Sequence, residues 1–485
     1  MTSPAATRPP GQDGPRCGPL SLLEALELVP ANVARRRGVV PLRFEDGRLV
    51  AGSTEPEDER GSEALARLGH EDALLEAMGA ESFRELWDSR YGPSGRVLEF
   101  VSGLEEESAG EPSFEDPDAI ADSPAPRYVR LTLEAALAEG ASDVHLERAG
   151  FGPRVRFRVD GLLSERVAPP PWLFERVLGR IKALSGLALG ESLFAQDGQF
   201  EIDDGEAPVS IRVSVLPGDR GECVVLRVLS RQGEVPTLGA LGIDAESEGM
   251  LRRAAALPEG LIVLAGPTGS GKTTTLHSLL GTLDGDRRNI VSIEEPVEIR
   301  SPRLRQIPVR RETGLDFAGV LRSVLRQDPD VILVGETRDP ETAHLVLQAS
   351  LAGHLVLTTV HAAGALQIFD RFAQLGADRA LLAQVLRTAV SQRLVRRTCS
   401  ACGGSGCVRC DGSGYRGRLC VAEVLEMGPP MAAAVMRGEG PQELGALAAG
   451  HGFRPMTERA RDLVERGETS DEEIARVVPC AEAAS

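Results

Sequence analysis

The stretch LIVLAGPTGSGKTTTLHSLL, residues 261–280, constrains this chain more than any other. An apolar run at 261–265 enters a glycine-rich turn, and a helical pattern opens near Lys272. The turn fits the P-loop pattern G-x-x-x-x-G-K-[ST] from Gly266, Pro267, Thr268, Gly269, Ser270 and Gly271 to Lys272 and Thr273, with Thr274 following. Glycines at 266, 269 and 271 let the backbone wrap closely, so that its N–H groups face phosphate oxygens, and the positive end of the next helix adds to that field. Nucleotide binding follows as the expectation. Lys272 would reach the β- and γ-phosphates of ATP, and the Thr273 hydroxyl would ligate Mg2+.

Around this stretch, apolar strands alternate with helical segments, which predicts an α/β domain with a mostly parallel sheet and helices on both faces. Ligands of such sheets bind beyond the carboxyl ends of the strands. Strand NIVSI ends in Glu294 and Glu295, VILVG ends in Glu336, and LVLTTV ends in His361. Four strand ends thus bring acids and a histidine to the rim that holds the phosphates. Glu336 is the residue expected to orient the attacking water and to hold Mg2+ through its water shell. Asp330 precedes its strand and reads as a turn residue.

With 485 residues the chain has room for about three domains. A net charge of −18 with 4% aromatic residues supplies neither the basic surface nor the stacking platforms of nucleic-acid binders, so no nucleic-acid partner is expected. No apolar run reaches membrane-spanning length and the N-terminus has no apolar signal core, which predicts a cytosolic protein whose membrane contact comes through partners. In chain order, residues 1–19 read as disordered and 20–103 as a small α+β domain. That domain would have a helix at 20–29, two strands about Asp46-Gly47, and helices near 62–78 and 81–90. Residues 104–127 are acidic and proline-spaced and read as a flexible linker. A second α+β domain is expected over 128–232, with a hairpin turn at Asp160-Gly161, and the P-loop domain over 233–485.

The blocks GPTGSGKTTTL, NIVSIEEPVE, LRSVLRQDPDVILVGETRD, AGHLVLTTVHA and VSQRLVRR together resemble the secretion ATPase family of type II secretion, type IV pili and related DNA-uptake and DNA-transfer systems. They are similar to its Walker A, Asp, Walker B and His boxes. Upstream, SDVHLE, VRFRVDG, AQDGQ and IRVSVLPGDRGECVVLRVL resemble the smaller domain that precedes the motor domain, and VPANVARRRGVVPLRFEDGRLVAGSTEP resembles the family's N-terminal, partner-binding domain. The resemblance implies a RecA-like motor with a PAS-like smaller domain, working as a homo-hexamer on the cytoplasmic face of the inner membrane against assembly-platform proteins. It also implies that Arg212 and Arg227 reach the γ-phosphate, and that His354 and His361 sense nucleotide or couple subunits. Read without it, the two arginines are solvated strand residues and the histidines structural ones. The chain departs from the family pattern at Glu295, in place of aspartate, at the Ala-Ala-Gly after His361, at Gln199, at Thr337 and at Cys420. Among family functions, the ATPase of a type II secretion system is the first expectation and type IV pilus extension the second. DNA transfer and a non-hydrolysing regulator are the remaining alternatives.

Residues 399–414, CSACGGSGCVRCDGSG, hold two C-x-x-C pairs. Cys399, Cys402, Cys407 and Cys410 are four of the eight cysteines, and in a reducing compartment they predict a Zn2+ site, the glycines permitting tight turns around each pair. Secretion and pilus-extension ATPases carry a tetracysteine motif at this place. Their pairs are usually farther apart, and the compressed spacing here also resembles the zinc repeats of DnaJ-type chaperones.

Overall fold

The computed structural model describes residues 18–19, 28–29, 34, 37–57, 59–80, 82–83, 86–87, 92–107, 123–150, 152–203, 208–229, 235–310, 314–410 and 412–478. They fall into two compact units. One comprises Met1–Phe200, Ile211–Val228 and Cys399–Arg416; the other comprises Glu201–Ser210, Leu229–Thr398 and Gly417–Ser485. The cysteine segment therefore groups with the first unit, although in sequence it interrupts the second.

The first unit begins with a four-stranded sheet in the order β1 (Gly18–Pro19), β2 (Val39–Glu45), β3 (Arg48–Ser53), β4 (Leu74–Ala77). Asp46 and Gly47 turn β2 into β3 with φ of 50° and 81°, the two left-handed positions of a tight hairpin. The helix expected near 62–78 is shorter. Helix α1 (Glu59–Arg67) stops where Gly69 takes φ 90° and the His70 and Gly69 N–H groups return to the Leu65 and Ala66 carbonyls. The chain then forms β4, parallel to β3, with α1 as the crossover. Of the helix expected at 81–90, residues 82–83 and 86–87 are helical; that at 20–29 lies outside the described residues except for Leu28 and Val29.

The span read as a linker is partly helical. Helix α2 (Pro93–Glu107) runs into its start and α3 (Pro124–Ala138) begins before its end, while residues 108–122 lie outside the described set. Val97, Val101 and Leu104 are buried along α2, a helical spacing. Proline at the first position of α3, after Ser123, is preset for a helix start.

A six-stranded sheet follows in the order β7-β6-β5-β10-β9-β8, built from β5 (Ala141–Ala149), β6 (Gly152–Val159), β7 (Leu162–Arg166), β8 (Gln196–Asp203), β9 (Pro208–Gly218) and β10 (Gly221–Val228). Asp160 and Gly161 make the second tight turn, with φ of 49° and 86°. Alternate residues such as Val144, Leu146, Phe157, Val213 and Leu226 are buried, as are Tyr128 of α3 and Phe174 and Ile181 of α4 (Pro171–Leu184). The opposite face carries the charged residues of the same strands.

The second unit holds a seven-stranded sheet in the order β13-β12-β14-β15-β11-β16-β17. Helix α5 (Ala245–Ala256) precedes β11 (Gly260–Ala265), and α6 (Lys272–Leu280) leaves the P-loop. Then come β12 (Ile290–Glu294), β13 (Arg305–Pro308), α7 (Phe317–Val324), β14 (Val331–Val334), α8 (Pro340–Leu351), β15 (Leu355–Val360), α9 (Gln367–Gln374), α10 (Arg379–Val385), β16 (Leu386–Thr398) and β17 (Tyr415–Glu426). Strands β11 to β16 are parallel throughout. Along β11, Leu261, Val263 and Ala265 enter one core with α7 to α10, while Ile262 and Leu264 enter a second core with α5 and α6. Burial on both faces is why these strands read as unbroken apolar runs. Helices α11 (Pro429–Met436), α12 (Pro441–Gly450), α13 (Met456–Glu465) and α14 (Asp471–Val477) complete the unit.

Candidate functional site: a phosphate loop at a charged strand rim

Strands β12, β14, β15 and β11 lie side by side and parallel, so the residues that leave their carboxyl ends meet at one rim. The phosphate loop leaves β11. Gly266, Gly269 and Gly271 have φ of 152°, 77° and 83°, so each is held in a backbone conformation that side chains rarely adopt. A Cβ on Gly266 would stand 2.6 Å from Ser270 Oγ and 2.7 Å from the Gln392 carbonyl. The fully buried Gln392 on β16 braces the loop by donating from Nε2 to the Ser270 carbonyl at 2.6 Å. Gly271 caps α6 and points that helix into the loop, with Thr273 and Thr274 half-buried in its first turn. Lys272 Nζ donates to the Gly266 and Pro267 carbonyls, both at 2.9 Å, and burial pulls its pKa down although Glu336 opposes the shift.

Glu336 follows β14 at the centre of the rim. Arg338 lies 2.6 Å from one carboxylate oxygen. His361 Nε2, leaving β15, lies 2.9 Å from the other without the alignment of a hydrogen bond. Burial works against the Glu336 charge, but Arg338, His361 and Lys272 outweigh it and keep the carboxyl below its ordinary pKa. The group is therefore ionised at neutral pH, as a water-orienting carboxylate must be. Next to it, the buried Thr337 hydroxyl meets Thr358 Oγ1 at 2.8 Å, which satisfies a polar group that the sequence shows as a departure.

The two acids after β12 differ. Glu295 is exposed, whereas Glu294 is buried and accepts from Ser292 Oγ at 2.6 Å and Gln306 Nε2 at 3.1 Å, with His277 Nε2 of α6 at 3.2 Å. Burial raises its pKa, yet these partners leave it below the ordinary value. Glu294 thus ties the phosphate-loop helix to the sheet.

The structure does not bring His354 to the rim. It precedes β15, donates from Nδ1 to the Ala349 carbonyl at 2.9 Å, and sits about 20 Å of strand away from His361. The Ala-Ala-Gly loop after His361 is held through its backbone. Glu423 of β17 accepts from the Ala365 N–H at 2.7 Å, Arg393 donates to the Ala363 carbonyl at 2.8 Å, and the other Glu423 oxygen accepts from the Met456 N–H at 2.8 Å. Asp330 accepts from the Asn289 N–H at 2.7 Å ahead of β14, the turn role expected of it. Gln392 and Arg393 lie in the VSQRLVRR block, but nothing local in the sequence gives them, Glu423 or His277 these particular partners.

In the first unit, Arg212 and Arg227 are direct cross-strand partners of β9 and β10, exposed on the open face of the six-stranded sheet. Their like charges are adjacent, an arrangement that costs the sheet stability.

The cysteine segment has the dimensions of a zinc site. The Sγ atoms of Cys399, Cys402, Cys407 and Cys410 all lie within 4.8 Å of one another. Cys399–Cys407 and Cys402–Cys410 are 3.8 Å apart and Cys407–Cys410 3.7 Å. A tetrahedron of thiolates about 2.3 Å from Zn2+ has edges of about 3.8 Å. Cys410 Sγ also accepts from the Cys407 and Gly414 N–H groups at 3.1 and 3.3 Å. The Cys402 and Cys410 N–H groups return to the Cys399 and Cys407 carbonyls at 3.3 and 3.2 Å, so each pair makes the same turn.

A parallel sheet with a phosphate loop on its first strand and an ionised glutamate at the neighbouring rim defines a P-loop NTPase. The sequence pattern of the Type II/IV secretion system proteins matches residues 118–476, and that of the MshEN domain matches residues 21–96. The chain belongs to the Type II/IV secretion system protein family and is an ATPase. It is 36% identical over 430 residues to the type II secretion system protein HxcR of Pseudomonas aeruginosa, across 85% of this chain and 91% of that one. It is 32% identical over 492 residues to the type IV pilus assembly ATPase PilB of Myxococcus xanthus, across 94% and 87% of the two chains. The crystal structure of the pilus retraction motor PilT with bound ADP is similar at 26% identity and a TM-score of 0.50, covering 71% of this chain and 95% of that one. Among the described residues, no helix is long and apolar enough to cross a membrane.

Proposed function

We propose that the protein is the cytoplasmic ATPase of a type II secretion system, hydrolysing ATP with Mg2+ to drive pseudopilus assembly and protein export. The observation that carries hydrolysis over simple binding is the ionised Glu336 beside the phosphate loop, flanked by Arg338 and His361. Residues 266–274 cradle the phosphates, Lys272 exchanges its loop carbonyls for β- and γ-phosphate oxygens, and Thr273 ligates the metal. Mg2+ held there would neutralise charge on the phosphates. Glu336 orients the attacking water, and Arg212 and Arg227 add positive charge at the transferring phosphoryl group. Glu294 holds the phosphate-loop helix in place, and His361, against Glu336, reports the state of the nucleotide. His354 supports β15 from its far end. Cys399, Cys402, Cys407 and Cys410 bind one Zn2+.

The working form is a homo-hexamer that meets inner-membrane platform proteins through its N-terminal residues, 20–103. The higher identity to HxcR than to PilB favours secretion over pilus extension, which is the second reading. Binding to the cytoplasmic parts of the type II platform proteins from the same genome, with stimulated ATP hydrolysis, is the expected outcome. Binding only to the pilus platform would replace the first reading by the second, and stimulation by DNA alone would overturn both.

A further inference from the structure

The open face of the six-stranded sheet carries a row of charges that crosses four strands. In register, Arg158 of β6 stands opposite Asp143 of β5, Asp143 opposite Arg227 of β10, and Arg227 opposite Arg212 of β9. Asp143 is the single acid among three arginines and, unlike them, is buried, 7% exposed. Its Oδ1 accepts from Arg227 Nε at 2.9 Å. Its Oδ2 accepts from Ser142 Oγ at 2.9 Å and lies 3.8 Å from Arg158 Nε.

Two features show that the chain spends local regularity to place this carboxylate. The β5–β6 register shifts between Ala141 and Asp143, a bulge of the kind that re-aims a side chain. Without it, the burial of Ala141 and Val144 on the core side and the outward aim of Asp143 would not coexist in one strand. The contact is also selective. Asp143 engages Arg227 through Nε, and a guanidinium held at Nε keeps its terminal N–H groups directed outward, where the side chain is 53% exposed. Arg212, next to it, has the repulsion of Arg227 and no such clamp from Asp143.

We infer that Asp143 is a positioning residue for Arg227: it fixes the guanidinium by Nε, offsets the repulsion between Arg227 and Arg212, and leaves the outer N–H fork for an anionic phosphate oxygen. The inference rests on the reading of Arg227 as a phosphate-directed arginine. Asp143 itself touches no reacting atom.

A double-mutant cycle in the full chain tests it, with kcat and KM for ATP measured for wild type, Asp143→Asn, Arg227→Ala and the double variant. Titration with a fluorescent ATP analogue counts the folded sites in each. Asp143→Asn is expected to lower kcat about tenfold per folded site, with KM within about twofold of wild type. In the Arg227→Ala background the same change is expected to do almost nothing, because the group it positions is gone. A merely structural role would lower activity equally in both backgrounds, and that result, or a wild-type rate for Asp143→Asn, overturns the inference. A wild-type rate for Arg227→Ala would instead remove the reading on which it rests.

Discussion

Gly266 shows how little freedom the phosphate loop leaves to a single residue. Its φ of 152° and the 2.6 and 2.7 Å approaches of Ser270 Oγ and the Gln392 carbonyl to a built Cβ mean that Gly266→Ala must both strain the backbone and move the loop. Strain of this kind costs about 1–3 kcal/mol, so ATP-analogue affinity is expected to fall about ten- to a hundredfold in an equilibrium titration; an unchanged affinity would contradict the loop geometry. The loop itself was legible in the sequence because its nine residues are contiguous and its glycines, Lys272 and Thr273 each have a phosphate-binding reason. Its brace was not: Gln392 meets Ser270 across 122 residues. The same holds for pairs elsewhere, Glu423 with Ala365 across 58 residues and Asp143 with Arg227 across 84, because no local pattern encodes such pairings. His354 and His361 are close in sequence, but the six-residue strand between them puts them at opposite ends of the sheet.

Among the elements, strand identity was easier to read than helix length. The apolar runs of β11, β12, β14 and β15 have no alternation because helices cover both faces. Helix α1 ended early because Gly69 capped it, and the last turn of α2, at 104–107, falls in the acidic run read as a linker. The cysteine knuckles are an element whose stability depends on metal. Purified protein is expected to hold one Zn2+ per chain, and strong chelation is expected to lower the thermal midpoint and speed proteolysis near residues 399–414. Absence of zinc together with unchanged stability would refute the site. Helix α14 depends instead on a carboxylate. Burial disfavours the Glu473 charge, but Arg476 and Arg396 hold its pKa at about 2, below the ordinary 4.5. A depressed pKa gives stability that is present above about 4.5 and lost as pH falls toward about 2. Amide exchange in α14, corrected for intrinsic rate, should therefore accelerate between pH 5 and pH 3 in wild type, and Glu473→Gln should already exchange fast at pH 5. A pH-independent wild type would contradict this.

For the whole molecule, the second unit is a complete nucleotide-binding sheet, and the first supplies the arginine row, the cysteine knuckles and the N-terminal sheet. The chain as a whole is acidic, with a net charge of −18, yet Arg158, Arg212 and Arg227 stand in one row around the single Asp143. If Glu336 orients the attacking water, chemistry and not only binding occurs at the rim of β14. Steady-state ATP hydrolysis by the full chain and by Glu336→Gln, with ATP-analogue affinity measured for both, tests this most directly. Hydrolysis by the wild type, a fall of about a hundredfold or more in the variant, and equal affinities are the results expected of a water-orienting carboxylate. Equal rates in the two proteins, whether fast or negligible, would contradict it.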